Sequence, residues 1–113
     1  MIESRQIPDC SEILLQTGQE SLDVCRLASI FKALSDPTRL QMMLILSRNG
    51  GQVCVCDFER IFDLGQPTIS HHLKILRKAG LLDCDKRGLW AYYVVQPTAL
   101  EPLRRVLSVM TAG

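Results

Sequence analysis

The chain has 113 residues, of which 47% are hydrophobic and 22% charged, and its net charge is +1. That length holds one domain with one modest core, and no apolar run approaches the roughly 18 residues a membrane span needs. The N-terminus lacks the basic-then-apolar pattern of a secretion signal, so a cytoplasmic protein is expected, and its five cysteines are then not a disulfide framework. Charge is unevenly spread. Residues 1–36 carry three basic and six acidic groups, whereas residues 66–95 carry five basic groups (Lys74, Arg77, Lys78, Lys86, Arg87) against Asp83 and Asp85. Positive charge therefore collects where a phosphate-facing surface would need it, although a solvated face would look the same.

In chain order, residues 1–20 contain Pro8 and Gly18 and read as an N-terminal arm; residues 21–113 read as the folded domain. From Ser21 to Leu34 the apolar residues Leu22, Cys25, Leu27, Ala28, Phe31 and Leu34 recur at helical spacing. Asp36 then caps a second helix with Pro37 at its first position, where a missing N–H costs nothing; this helix runs through Leu40, Met43, Leu44 and Leu46 to Gly50-Gly51. Asp57 to Leu64 reads as a short third helix, broken by Gly65, and Gln66-Pro67 starts a fourth. In that fourth helix Ile69, Leu73, Leu76 and Ala79 point inward while Gln66, Thr68, Ser70, His71, Lys74 and Lys78 point out. Leu82 to Val95 reads as a β-hairpin with Arg87-Gly88 at its tip. Pro97-Thr98 opens a last helix with a narrow apolar seam of Leu100, Leu103, Leu107 and Met110.

Helix, helix, helix–turn–helix, hairpin, helix describes a mainly α chain with a β-hairpin wing, a winged helix-turn-helix. The outward face of the fourth helix carries the short hydrogen-bonding side chains suited to base edges. Docked helix-turn-helix proteins read bases with the start of the second helix, which places Gln66, Thr68, Ser70 and His71 at the bases and Lys74 at the backbone. Lys86 and Arg87 on the wing would meet phosphates or the minor groove of double-stranded operator DNA. His71 and His72 point about 100° apart and do not suit one metal ion; His72 reads as a semi-buried packing or hydrogen-bonding residue.

The run Phe31-Lys32-Ala33-Leu34-Ser35-Asp36-Pro37-Thr38-Arg39-Leu40, then Cys54-Val55-Cys56-Asp57, then Gln66-Pro67-Thr68-Ile69-Ser70-His71-His72-Leu73 and Ala79-Gly80-Leu81-Leu82 resembles the ArsR/SmtB family of metal-responsive repressors. The resemblance covers about residues 22–110. It implies a homodimer, joined through the first and last helices, that leaves its operator when it binds metal. The seams holding Leu22 and Leu100, Leu103, Leu107 and Met110 agree with that interface. It also implies that Cys54 and Cys56 bind the inducer. They lie at the start of a helix, where the dipole is expected to lower a thiol's pKa, and soft sulfur ligands select soft or thiophilic acceptors.

The family's arsenite-sensing branch has a third cysteine where this chain has Glu59, and its cadmium- and lead-sensing branch adds cysteines from an N-terminal arm. Cys10 lies on such an arm. Cys10, Cys54 and Cys56 would make three thiolates, suiting As(III) or Sb(III), with Pb(II) or Cd(II) as the alternative inducer. Cys25 and Cys84 read as packing residues. The last helix has no histidine and one acid, Glu101, so the zinc site some members carry there is not expected, and no constitutive cofactor is implied. A dithiol redox switch at the same cysteines remains a second reading. A thiol enzyme is a third, opposed by the absence of any histidine outside the reading helix to act as a base.

Overall fold

The computed structural model describes residues 23–49 and 53–112. The proposed arm, with Cys10 and also Leu22, lies outside the described residues. Five helices and three strands follow in order: α1 (Val24–Leu34), α2 (Pro37–Arg48), β1 (Val53–Cys54), α3 (Val55–Phe62), α4 (Gln66–Lys78), β2 (Leu82–Arg87), β3 (Trp90–Val95) and α5 (Pro97–Ala112).

Local chemistry sets the boundaries. The Asp23 carboxylate accepts from the Arg26 N–H at 3.0 Å and caps α1. The Asp36 carboxylate accepts from the N–H groups of Thr38 (2.9 Å) and Arg39 (3.1 Å) and caps α2, with Pro37 in its first turn. The Arg39 N–H, followed by that of Thr38, holds the Asp36 carboxyl below its ordinary value of 3.8. A depressed carboxylate contributes stability above its unfolded pKa and loses it as pH falls through the folded one. Urea midpoints should therefore fall below about pH 4 less steeply for Asp36→Asn than for the parent chain; identical acid limbs would refute the cap's contribution.

Helix α4 ends in a Schellman turn. The Leu81 N–H reaches the Leu76 carbonyl at 3.1 Å, the Gly80 N–H reaches that of Arg77 at 2.9 Å, and Gly80 takes the left-handed φ of 82° that this motif requires. The turn of the helix–turn–helix differs from expectation. Gly65 has an ordinary φ of −73° and stands at the N-cap of α4, while Asp63 (φ 54°) makes the left-handed break. Aspartate tolerates that region better than most side chains, which is how α3 ends without a glycine.

The core is formed by Leu27, Ile30 and Ala33 of α1, Met42, Met43 and Leu46 of α2, Phe58 of α3, Ile69, Leu73 and Leu76 of α4, and Leu81, Leu82, Val53, Ala99 and Leu103. Two expectations are corrected here. Cys25 faces outward from α1 rather than into the core, and it is not one of the free thiols. The α5 seam is also divided: Leu103 is buried in the chain's own core and Leu100 packs against it, whereas Leu107 and Met110 are exposed. Phe31, Leu40 and Leu44 are exposed as well, so α1, α2 and α5 all carry large apolar side chains in solvent.

The hairpin is part of a three-stranded antiparallel sheet in the order β1-β3-β2, because the two-residue β1 pairs Val53 with Tyr93 and Cys54 with Tyr92. No periodicity announces a strand that short. Across β2 and β3, Cys84 faces Tyr93 and Asp85 faces Tyr92. Directly opposed residues share a face and neighbours along a strand alternate. Val53, Tyr93 and Cys84 thus share the face that holds buried Leu82, while Cys54, Tyr92 and Asp85 share the other.

Candidate metalloid site and nucleic-acid interface

Cys54 ends β1 and is the N-cap of α3; Cys56 stands in the first turn of that helix. The Cys54 N–H donates to the Asp57 carboxylate at 3.1 Å, and Asp57 is held in turn by Arg60 at 2.8 Å. This reciprocal contact fixes the first turn and brings the two sulfurs to 3.1 Å, with Cys54 buried and Cys56 exposed. The dipole argument for a lowered thiol pKa does not hold for Cys56. Its hydrogen bond to the Cys54 sulfur, then partial desolvation, then the charges of Cys54 and Asp57, push its thiol up, and Arg60 only partly opposes them. Two adjacent sulfurs share a proton more readily than they both ionise.

Among the described residues no third cysteine, histidine or carboxylate completes a metal-binding group with this pair. Cys84 lies two strands away on the opposite face of the sheet, beside Tyr93, whose phenol is pushed up chiefly by burial and then by Cys84. The packing reading of Cys84 agrees with this placement. In α5 the Glu101 carboxylate is engaged by Arg104 at 2.8 Å, which holds its pKa down.

A cleft of about 230 Å³ opens beside the thiols, lined by Cys54, Val55, Cys56, Glu59, Gln66, Leu89, Trp90 and Ala91. It joins the sulfurs to the first residue of α4 and to the wing turn. Sequence reasoning missed Leu89 and Trp90 here. The available signal was two large apolar residues directly after the tip glycine, and both are exposed.

Gln66, Thr68, Ser70, His71, Lys74 and Lys78 are all exposed along α4, opposite buried Ile69, Leu73 and Leu76. His72 is half-buried, and its Nδ1 lies 3.3 Å from the Arg39 guanidinium, whose Nε donates to the Ala33 carbonyl at 2.6 Å. Arginine only donates, so Nδ1 accepts and the proton of neutral His72 sits on Nε2. This clamp ties α4 to the end of α1 and the start of α2, and sequence reasoning did not find Arg39. On the wing, Arg87 donates to Asp85 at 3.0 Å and lies 4.9 Å above the Tyr92 ring, so it is already occupied within the chain; Lys86 is exposed beside it.

A wing following a helix–turn–helix with an exposed polar reading face is the architecture of a transcription regulator. Residues 36–83 match the model of the bacterial regulatory protein arsR family. An HTH-type transcriptional regulator of Methanocaldococcus jannaschii is 46% identical over 80 residues, which are 70% of this chain and 89% of that protein. The arsenical resistance operon repressor of Escherichia coli is 47% identical over 68 residues, 60% of this chain and 57% of that protein, so this relative is spanned over little more than half its length. The crystal structure of an ArsR family transcriptional regulator superposes with a TM-score of 0.69 at 26% identity, covering 77% of this chain and 88% of that one. The chain belongs to the arsR family of bacterial transcription regulators, with their winged helix-turn-helix fold. None of its described helices is long and apolar enough to cross a membrane.

Proposed function

We propose that this protein is a homodimeric repressor that holds operator DNA and releases it when trivalent arsenic or antimony binds Cys54, Cys56 and a third thiolate, Cys10. The observation that carries the reading is the pair of sulfurs 3.1 Å apart at the joint of β1 and α3, in a cleft that also reaches Gln66 at the start of the reading helix. The name of the Escherichia coli relative supports an arsenical inducer. The replacement of a helical third cysteine by Glu59 is why the arm is assigned the remaining ligand. Exposed Leu107 and Met110 on α5 and exposed Phe31 on α1 support dimerisation through those helices.

Operator titrations with arsenous acid, antimonous acid, Cd(II), Pb(II) and Zn(II) test the inducer, and proton balance separates the classes. Arsenous acid exchanges each hydroxyl for a thiol, the hydroxyl leaving as water with the thiol's proton, so no proton is released. A divalent cation expels a proton for each thiol it takes. Release by arsenous acid should therefore change little between pH 6 and 8. A response to Cd(II) or Pb(II) alone, strengthening about tenfold per proton released for each pH unit, would replace the metalloid reading with the divalent one.

For the DNA surface, Ser70→Ala and His71→Ala should each lower operator affinity by about 1–3 kcal/mol while leaving non-specific binding nearly unchanged. Arg87→Ala should weaken binding to all sequences and reduce the slope of log affinity against log salt by about 0.9 per subunit, about 1.8 for the dimer. Two normal reading-helix variants in quantitative footprinting would overturn the placement of α4 in the groove.

A further inference from the structure

We propose that Arg39 is a positioning residue for the reading helix: it acts through neutral His72, and protonation of His72 loosens the protein's hold on operator DNA. This rests on the reading of α4 as the helix that meets the bases, and it is independent of the inducer.

The core holds α4 through Ile69, Leu73 and Leu76, and apolar contacts of that kind are not directional. They fix the depth of the helix more firmly than its rotation about its own axis. Rotation matters at the DNA. Side chains stand about 5 Å or more from a helix axis, so a turn of about 10° moves Ser70 and His71 by about 1 Å, enough to spoil a hydrogen bond to a base edge. The directional contact is made by His72. Its Nδ1 accepts from the Arg39 guanidinium at 3.3 Å, and the Nε of the same group donates to the Ala33 carbonyl at 2.6 Å. A planar fork anchored at the end of α1 thus sets the angle of α4.

That contact exists in one protonation state. Imidazolium carries a proton on both nitrogens and can only donate, so it would meet the guanidinium with no lone pair and with like charge. Asp36 caps α2 beside Arg39 and feels the charge of His72, and it is the acid placed to receive the protonated ring. His71 follows on α4, its ring centroid 6.1 Å away. Arg26 of α1 lies at the far end of α4, beside Gly80, and Asp57 of α3 and Asp85 of β2 are engaged by Arg60 and Arg87. Imidazole is the side chain that changes charge between about pH 5 and 8. If the DNA-bound form needs neutral His72, affinity falls as pH falls, by at most about tenfold per pH unit for each subunit. A histidine that merely met phosphates would act with the opposite sign.

Affinities for operator and for non-specific duplex are measured between pH 5.5 and 7.5, without arsenic, for the full-length protein and its His72→Gln and Arg39→Lys variants. Their ratio is followed, because it removes the phosphate attraction that acid strengthens for every sequence; His71 is common to all three chains. Glutamine keeps an acceptor that does not titrate, whereas lysine lacks the fork that bridges two acceptors. The parent's ratio should fall at least about fivefold from pH 7.5 to 5.5 and that of His72→Gln less than about twofold, the two agreeing within about threefold at pH 7.5. Arg39→Lys should already be lowered about fivefold at pH 7.5 and respond less to acid. Nitrogen NMR of the parent's imidazoles, which needs no variant to fold, should show His72 Nδ1 without a proton at pH 7.5. Parallel acid profiles in the parent and His72→Gln, a normal ratio in Arg39→Lys, or a proton on Nδ1 would overturn the proposal while leaving the operator reading standing. A parent chain that prefers operator at no pH would remove the reading of α4 itself.

Discussion

The double variant Cys54→Ser/Cys56→Ser is expected to bind operator within about twofold of the parent chain and to remain bound at arsenous acid concentrations that release the parent completely. Both halves follow from where the thiols stand. Cys54 is the N-cap of α3, and serine is among the preferred residues there, so the substitution keeps or improves the end of that helix. Cys56 is exposed, and its loss removes no core contact. Neither residue lies on α4 or on the charged wing strand β2, so DNA contacts persist. Release is a different matter. For an inducer to weaken DNA binding it must prefer the DNA-free conformation, and a tenfold loss of affinity requires about 1.4 kcal/mol of coupling. Without the sulfurs that coupling is gone. Cys10→Ser should show an intermediate response, and Cys84→Ser a response close to the parent's. Arsenite-driven release that survives in the double variant would eliminate the site.

The second large effect distinguishes two leucines one turn of helix apart. Leu103→Glu should unfold the domain, whereas Leu107→Glu should leave it folded and monomeric. Leu103 is 8% exposed in the core with Ala99 and Leu27, and truncating such a leucine costs about 2–5 kcal/mol before any charge is buried. A domain's total stability is about 5–15 kcal/mol, so little folded protein remains. Leu107 is 49% exposed, and a glutamate there changes no internal packing. It places a charge in the apolar surface assigned to the dimer. Operator affinity should then fall by about a hundredfold or more, because linking two half-site readers multiplies affinity by about 10²–10⁴. Circular dichroism and sedimentation check both outcomes. A dimeric Leu107→Glu protein would move the interface elsewhere.

The helices, the reading face and the hairpin were legible in the chain because each depends on local signals: the Asp36-Pro37 cap, Gly80 after α4, and polar and apolar residues alternating at helical spacing. Cys54 and Cys56 were legible as a pair from their spacing and setting. Periodicity could not assign the apolar residues of α1 and α5 to a side. Cys25 and Leu103 occupy equally regular positions, yet one faces solvent and the other the core, since a helix in a small domain has more than one apolar side to cover. Non-local features were also hidden. β1 exists only because β3 lies beside it, Arg39 meets His72 across 33 positions, and the cleft joins residues from three elements. The raised Cys56 thiol follows from a sulfur–sulfur contact that no helix-dipole rule contains.

Cys54 belongs to a strand and a helix at once, while its neighbours in the cleft, Leu89 and Trp90, belong to the surface. That division shapes how such a regulator can diverge. Substitutions at the joint are tested by folding as well as by sensing, so few are tolerated. Substitutions at the cleft's outer wall cost almost no stability and leave the reading helix alone. A lineage exposed to a new toxicant can thus change the compounds it answers to while continuing to recognise the same promoter.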